Sequence, residues 1–325
     1  MYFNNKCSTD DGTWVSLNRF ARLPFPQQVH LYDYVTMVAY GQLYFAGGES
    51  RETSVNNQAD PVCFEELTCC LNSFFRYNTS DNKWDVLKPM LKTRKAFSMV
   101  TLGQCIFAIG GSIQGDVLLD VEYYDLCRGH WYRAAPLLEA VRCTSSVIHD
   151  GRLLVCGTQE SMQFTPMDNR YRYFGDMIIQ LYNPSVNTWH RVYKICYPLN
   201  WQAYSTVLAV HDDVCYRVCY ECSLWHTNRP HVSRLVCDFH SEVPSVGIGE
   251  KQDQQNIPLE NKLKGFCLDK QVFINLNGYV MGLGEDSVEG EDVDFTKWLK
   301  LSENTSSRGM MQYVFDKRIL GAIKD

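Results

Sequence analysis

Cys105-Ile106-Phe107-Ala108-Ile109-Gly110-Gly111 is the stretch that decides the fold of this 325-residue chain. A short apolar run ends on a pair of glycines. The same device stands earlier as Leu43-Tyr44-Phe45-Ala46-Gly47-Gly48, and a weaker copy follows as Leu153-Leu154-Val155-Cys156-Gly157-Thr158. Each copy leads, after a variable stretch, to an aromatic group and then a tryptophan. Phe74-Phe75-Arg76-Tyr77 precedes Trp84, Val121-Glu122-Tyr123-Tyr124-Asp125 precedes Trp131, and Leu181-Tyr182-Asn183-Pro184 precedes Trp189. Self-similarity at a period of roughly 50 residues is the sequence sign of propeller blades. It moves the question of function from catalysis to recognition.

The clearest copy predicts one whole blade. Arg94 to Val100 reads as the first strand, turning at Gly103-Gln104 into Cys105–Ile109. A loop from Ser112 to about Leu119 leads to Val121–Asp125, and a turn near Gly129 leads to His130–Arg133. These runs are short, rich in aromatic and β-branched residues and bounded by turn residues, which is the pattern of strands. The frame also predicts a first blade from Tyr32 to Trp84, with a long polar insertion at Glu49 to Cys69. A third runs from Arg142 to Trp189, with a loop from Gln159 to about Asp176. Two degenerate blades follow, the last ending at Trp298 after a glycine- and acid-rich loop from Gly282 to Asp294.

The two ends complete the count. Arg308–Phe315 and Arg318–Ile323 read as the first two strands of a blade that lacks its outer half. Tyr2-Phe3 and Thr13-Trp14-Val15 read as an outer half that lacks its first two strands. The expectation is an all-β, six-bladed propeller, a single domain over residues 1–325. Its last blade is closed by residues 1–17 and 308–323, which removes the open sheet edges. A start in mid-blade points to a domain cut from a longer protein.

The series Arg94, Gly103, Gly110-Gly111, Tyr123-Tyr124-Asp125 and Trp131 resembles the Kelch repeat. A six-bladed ring of such repeats is similar to the substrate-binding domain of BTB–Kelch proteins. That resemblance implies a partnership with Cullin-3 through a BTB–BACK half, which is absent from this chain, and a role as ubiquitin-ligase adaptor. A cytoskeletal, actin-binding or scaffolding Kelch module is the alternative. The resemblance also places the partner, a protein or peptide, at the rim where two sets of loops converge. One set precedes the first strands and offers Tyr34, Lys95, Trp201 and Tyr204. The other follows the glycine doublets and offers Arg51, Ser112, Gln114, Arg172, Trp225 and Arg229. Aromatic and arginine side chains are the usual anchors of binding, and loops on a rigid scaffold usually carry it. Arg94 and Arg142 are read instead as the structural arginine of the repeat. Asp33 and Glu49 are read as loop charges.

Composition narrows the alternatives. A net charge of −6 argues against nucleic acid or an anionic membrane as partner. No apolar run has the length of a membrane span, and Met1–Lys6 lacks the pattern of a secretion signal. Many of the 14 cysteines lie inside apolar strand patterns, as small hydrophobes in a reducing compartment do. The expected location is the cytoplasm or nucleus. Cys215, Cys219, Cys222, His226 and His231 have the spacing of zinc ligands. Cys215 and Cys219 share one face of a predicted strand, so a core role is favoured, and neither metal nor cofactor is expected. No nucleophile elbow, phosphate loop or zinc-protease motif occurs.

Overall fold

A computed structural model describes residues 6–8, 14–16, 23–25, 29–52, 67–78, 80–165, 170–195, 201–211, 214–223, 231–241, 243–253, 263–268, 271–276, 279–283 and 298–302. Among them there is no helix, and the strands form a series of antiparallel sheets. Five sheets have four strands each, in plain up-and-down order. The first holds Val35–Ala39, Gln42–Ala46, Phe74–Asn78 and Lys83–Val86. The second holds Ser98–Leu102, Cys105–Ile109, Val121–Asp125 and His130–Arg133. The third is Arg142–His149, Arg152–Thr165, Arg170–Asn183 and Thr188–Ile195. The fourth is Trp201–His211, Val214–Ser223, His231–Asp238 and Ser245–Asp253. The fifth is Leu263–Leu268, Gln271–Leu276, Tyr279–Leu283 and Trp298–Ser302. This arrangement fits a Kelch-type β-propeller.

In the first three sheets the second strand carries an apolar run, Leu43–Ala46, Ile106–Ile109 and Leu153–Cys156, because both of its faces are covered. Side chains alternate across a strand, and the alternation divides the strand between two cores. Leu43 and Phe45 pack with Leu31, Phe75 and Trp84, whereas Tyr44 and Ala46 pack with Ile106, Ala108 and Trp131 of the next sheet. Phe107 and Ile109 pack with Leu153, Val155 and Trp189 of the third sheet. Leu154 and Cys156 pack with Leu208, Cys215 and Leu235 of the fourth. Trp84, Trp131 and Trp189 are all buried, as their repeat positions predict. The indole N–H of Trp131 donates to the Lys88 carbonyl at 2.8 Å, and that of Trp189 to the Ala135 carbonyl at 2.9 Å. Each ring thus fills a wedge while its one polar atom is satisfied.

The glycine doublets stop the second strand and let the next sheet approach. Gly47 and Gly48 have φ of 57° and 95°, and Gly110 and Gly111 have 60° and 92°, in the left-handed region that a Cβ disfavours. A Cβ on Gly47 would lie 2.6 Å from the Arg94 carbonyl oxygen, and one on Gly110 2.7 Å from that of Val141. In the third sheet Thr158 replaces the second glycine. The strand does not turn there, and Arg152–Thr165 runs for 14 residues. Gln159 to Asp176, predicted as a loop, is therefore a hairpin, with Gln159 opposite Asp176 and Thr165 opposite Arg170.

Other expectations are corrected. The second sheet's first strand begins at Ser98, because Arg94 to Phe97 form the approach to it. Within the predicted insertion, Glu49–Glu52 and Leu67–Cys70 are strands, and Glu49–Glu52 is the centre of a separate three-stranded sheet, between Val29–Tyr32 and Leu67–Cys70. Gly282 lies in a strand rather than at the start of a loop. At the N-terminus the partner of Trp14–Ser16 is Lys6–Ser8, while Tyr2 and Phe3 lie outside the described residues. Residues 308–323, half of the expected closing blade, also lie outside them.

Arg94 and Glu122 form an ion pair inside the second sheet, 2.6 Å apart, with side chains 0% and 3% exposed. Arg94 also donates to the carbonyls of Gly110 and Asp120 at 2.9 and 3.0 Å. Glu122 accepts the backbone N–H groups of Leu91 and Lys92 at 2.5 and 3.4 Å. In the third sheet Gln180 does the work of Glu122. Its Oε1 accepts from Leu138 and Glu139 at 2.9 and 3.2 Å, and its Nε2 donates to the Glu139 carbonyl at 2.9 Å. Val141, fully buried, stands where Arg94 stood. The cation and the anion are thus absent together. Breaking a buried pair on one side costs about 3–5 kcal/mol, while replacing both partners by neutral groups costs far less. Arg94→Val alone should lower the unfolding free energy by about that amount. Arg94→Val combined with Glu122→Gln, which copies the third sheet, should recover most of it in urea titrations. A double variant as unstable as the sum of its single changes would contradict this account.

Candidate functional site

At the doublet edge of the sheets, segments from successive repeats are tied by a recurring backbone bond. The Gly48 N–H donates to the Arg94 carbonyl at 2.9 Å, and the Gly111 N–H to the Val141 carbonyl at 3.0 Å. Further in, Ala96 donates to the Asp33 carbonyl at 3.0 Å, and Thr144 to the Ala96 carbonyl at 3.4 Å. Asp33 and Ala96 adopt φ of 50° and 51° to make these links. The first bond sets Glu49, next to Gly48, beside Lys95, next to Arg94.

Lys95 is held by two backbone bonds to Ser112, 3.0 and 2.8 Å long, which form an isolated antiparallel bridge. Its ammonium donates to Glu49 Oε2. Arg51 Nε donates to Glu49 Oε1 at 2.8 Å, and its guanidinium lies 4.5 Å from the centre of the Tyr32 ring. One carboxylate therefore holds two cations from different repeats. Glu49 is 8% exposed at its side chain, Lys95 25% and Arg51 38%, so the surface shows the cations and hides the acid. Burial pushes the Glu49 carboxyl upward, but the hydrogen bonds from Lys95 and Arg51 outweigh it and hold the group below the usual carboxylate range. Cys70, close by, has its thiol pushed up, chiefly by burial.

The other predicted positions have varied fates. Gln114 is exposed at the tip of the small hairpin of Ser112–Ile113 and Asp116–Val117, with φ of 49°. Ser112 is buried. Tyr34 stacks obliquely on Phe45 at 4.9 Å, and burial raises its hydroxyl above the usual tyrosine range. Arg172 is a strand residue opposite Gln163, and Trp201 is one opposite Ser223. Tyr204 marks an irregularity between Ala203 and Ser205. These three are not loop residues. Trp225 and Arg229 lie outside the described residues.

Two readings of the sequence are overturned. Glu49 is not a loop charge but the buried counter-ion of the cluster. Arg142 is not the repeat partner of Arg94. The two equivalent backbone bonds place Val141 at the Arg94 position, so Arg142 stands at the position of Lys95. Counting without a gap from Pro89 and Pro136 gives the same register.

Of the proposed zinc ligands, Cys215 is buried in the core between the third and fourth sheets, and Cys219 stands opposite His231 in the register. Cys222 is opposite Gln202, and His226 lies outside the described residues. The described residues contain no group of three or more His, Cys, Asp and Glu side chains placed to hold a metal. Cys69, Cys70, Cys105, Cys127, Cys156, Cys215 and Cys237 are free thiols. No helix among the described residues is long and apolar enough to cross a membrane.

The Kelch motif model matches residues 93–138, the segment from the approach to the second sheet to the approach to the third. The chain carries a Kelch repeat. Kelch-like protein 23 of Homo sapiens is 28% identical over 137 residues, covering 39% of this chain and 22% of that protein. Kelch-like protein 38 of Mus musculus is 29% identical over 186 residues, covering 57% and 27%. Kelch-like protein 6 of Homo sapiens is 35% identical over 83 residues, covering 26% and 13%. The chain thus spans about a quarter or less of the length of these relatives. It resembles the Kelch substrate-binding domains of BTB–Kelch proteins, and the similarity marks it as a protein-interaction module.

The Glu49 cluster has a pH signature. Its carboxyl titrates lower in the folded than in the unfolded chain, so its contribution to stability is complete above the unfolded value. It is lost as pH falls through the folded one. The gap in urea stability between the parent and Glu49→Gln should narrow on acidification from about pH 6 to about pH 3. A constant gap would show that Glu49 does not act through its charge.

Proposed function

We propose that this chain is a non-catalytic protein-recognition domain, a six-bladed Kelch ring that holds a protein or peptide substrate at its doublet rim. In the longer protein it serves as the substrate-binding half of a Cullin-3 ubiquitin-ligase adaptor, acting in the cytoplasm or nucleus. The observation that carries the reading is the convergence at one edge of two kinds of segment from successive repeats. They are joined by the equivalent bonds from Gly48 and Gly111, with Arg51 and Lys95 half-exposed on a fixed scaffold. Side chains already ordered lose little freedom when a partner arrives, which favours binding. The similarity to Kelch-like proteins supports the adaptor role.

Closure can be tested on the chain itself. Deleting residues 1–17 removes the outer half of the sixth blade, exposes strand edges, and should give insoluble or markedly less heat-stable protein. A truncated chain that melts with the parent would remove the closing blade from this reading. Recognition is tested in the full-length protein with a photo-crosslinking residue at Asp116, exposed beside Gln114, and another at Arg128. Arg128 is exposed in the turn between the last two strands of the second sheet, at the end away from the glycine doublet. Asp116 should capture a partner that Arg128 does not, and Cullin-3 should co-purify with the full-length protein. Capture from Arg128 alone would move the binding surface to the opposite edge.

A further inference from the structure

Two thiols meet where the fourth sheet packs against the third. Cys215 stands opposite Leu235 in the register of Val214–Ser223 with His231–Asp238. Residues two apart on a strand share a face, so Cys237 lies on the face of Leu235 and Cys215. Both belong to the core between the third and fourth sheets, Cys215 within it and Cys237 packed against it. Cys215 is 1% exposed, whereas Cys237 is half-buried, between the exposed Val236 and Asp238. The Cys215 thiol hydrogen-bonds to Cys237 and holds its thiol below the usual thiol range, while burial pushes the other way. Cys237 Sγ also lies 3.9 Å from the Leu235 carbonyl oxygen. The thiolate is the reactive form of a cysteine, and a hydrogen-bond donor beside it favours that form. Spacing in the sequence sets Cys215 with Cys219 and Cys222, but the structure gives it a different sulfur as neighbour.

We propose that Cys237 and Cys215 are a redox couple, in which hydrogen peroxide oxidises Cys237 and Cys215 then closes a disulfide across the two strands. This adds a modification site to the fold, apart from the recognition rim. In the first step the Cys237 sulfur attacks one oxygen of the peroxide. The O–O bond breaks, the departing oxygen takes up a proton and leaves as water, and Cys237 becomes a sulfenic acid. The sulfur loses two electrons and the peroxide gains them. In the second step the Cys215 sulfur attacks Cys237, the S–O bond breaks, and a second water leaves with the Cys215 proton. Two thiols and one peroxide thus give one disulfide and two waters. The division of labour follows exposure: Cys237 is within reach of a small oxidant, and Cys215 has to reach only Cys237. Diagonal neighbours on adjacent strands have Cα atoms about 7–8 Å apart, at the limit of what a disulfide spans without backbone movement. The register of the two strands runs from Cys219 and His231 to Cys215 and Leu235, so Cys237 lies past its end, where the gap between the strands can close. A disulfide held at that limit is readily reduced, and transient disulfides are the kind that reducing compartments contain.

The test treats the folded chain with increasing amounts of hydrogen peroxide, then alkylates it in denaturant without reductant and maps each cysteine by mass spectrometry. Arg217 and Arg234 let trypsin separate Cys215 from Cys237. The first product should be the cross-linked pair of peptides holding these two residues, lighter by two hydrogens, which dithiothreitol returns to two thiols. Cys69 and Cys127 are exposed and serve as the internal comparison. Their oxidation ahead of Cys237 would show that exposure alone governs reactivity, and it overturns the proposal. In Cys215→Ser the cross-link should be lost and dimedone should trap Cys237 as the sulfenic acid. In Cys237→Ser, Cys215 should stay a thiol throughout. Oxidation of Cys215 in that variant, or a parent in which Cys237 stops at the sulfenic acid, overturns the proposal as well. Melting temperatures confirm folding of the variants, and the order of oxidation in the parent decides the matter without them.

Discussion

The close approach of each sheet to the end of the previous sheet's second strand is the constraint on which the rest depends. At Gly47 and Gly110 a neighbouring carbonyl oxygen lies where a Cβ would be. Only an atom-poor backbone lets the Gly48 and Gly111 N–H groups reach Arg94 and Val141. Those bonds set the spacing of the sheets at the edge, and the wedge between sheets then widens outward. The wedge is filled by the tryptophan of the outer strand, whose indole N–H finds a carbonyl on the chain leading out of the preceding sheet. Where the second glycine is missing, as at Thr158, the strand runs past the edge and becomes part of a long hairpin. One glycine thus separates a blade that stops from a blade that projects.

The same approach governs where charge can be tolerated. The approach segment enters the interior between two sheets, and its loose backbone N–H groups require an acceptor there. In the second sheet that acceptor is Glu122, and a buried carboxylate needs a cation, which Arg94 supplies. In the third sheet the acceptor is Gln180, which is neutral and donates as well as accepts, so a valine suffices beside it. Burying an unpaired charge costs several kcal/mol, and this couples the identities of residues far apart in the chain. One residue further on, Lys95 is only half-buried, and it shares the carboxylate of Glu49 with Arg51. Interior position and rim position are consecutive residues with opposite demands.

The proposed recognition at the rim draws on this arrangement. The scaffold brings Glu49, Arg51 and Lys95 together although they come from different repeats, and it leaves the cations outward. No pair among them is local in sequence except Glu49 and Arg51. Their meeting is a consequence of the doublet bond, and it would be lost if the sheets were spaced differently.

The repeat frame, the apolar second strands, the buried tryptophans and the all-β class were legible in the sequence, because alternation and turn residues act over a few positions. Even the degenerate fifth sheet was visible in part, since Leu263–Leu268 and Gln271–Leu276 are the strands that form. The pairing of Glu49–Glu52 with Leu67–Cys70 and Val29–Tyr32 was not visible, since polar strands lack the apolar pattern and draw their order from neighbours. The long hairpin was hidden for the same reason, and Arg172 consequently was assigned to a loop. Arg94 and Arg142 looked equivalent because identical residues invite alignment. Their difference by one position is the difference between interior and rim, and only the bonds from Gly48 and Gly111 decide it. Local sequence determined which segments extend, turn and bury, since those depend on steric and solvation preferences of single residues. Tertiary structure decided which charges share a dielectric and which face solvent, because Coulomb interaction depends on distances that the chain acquires only when separate sheets meet.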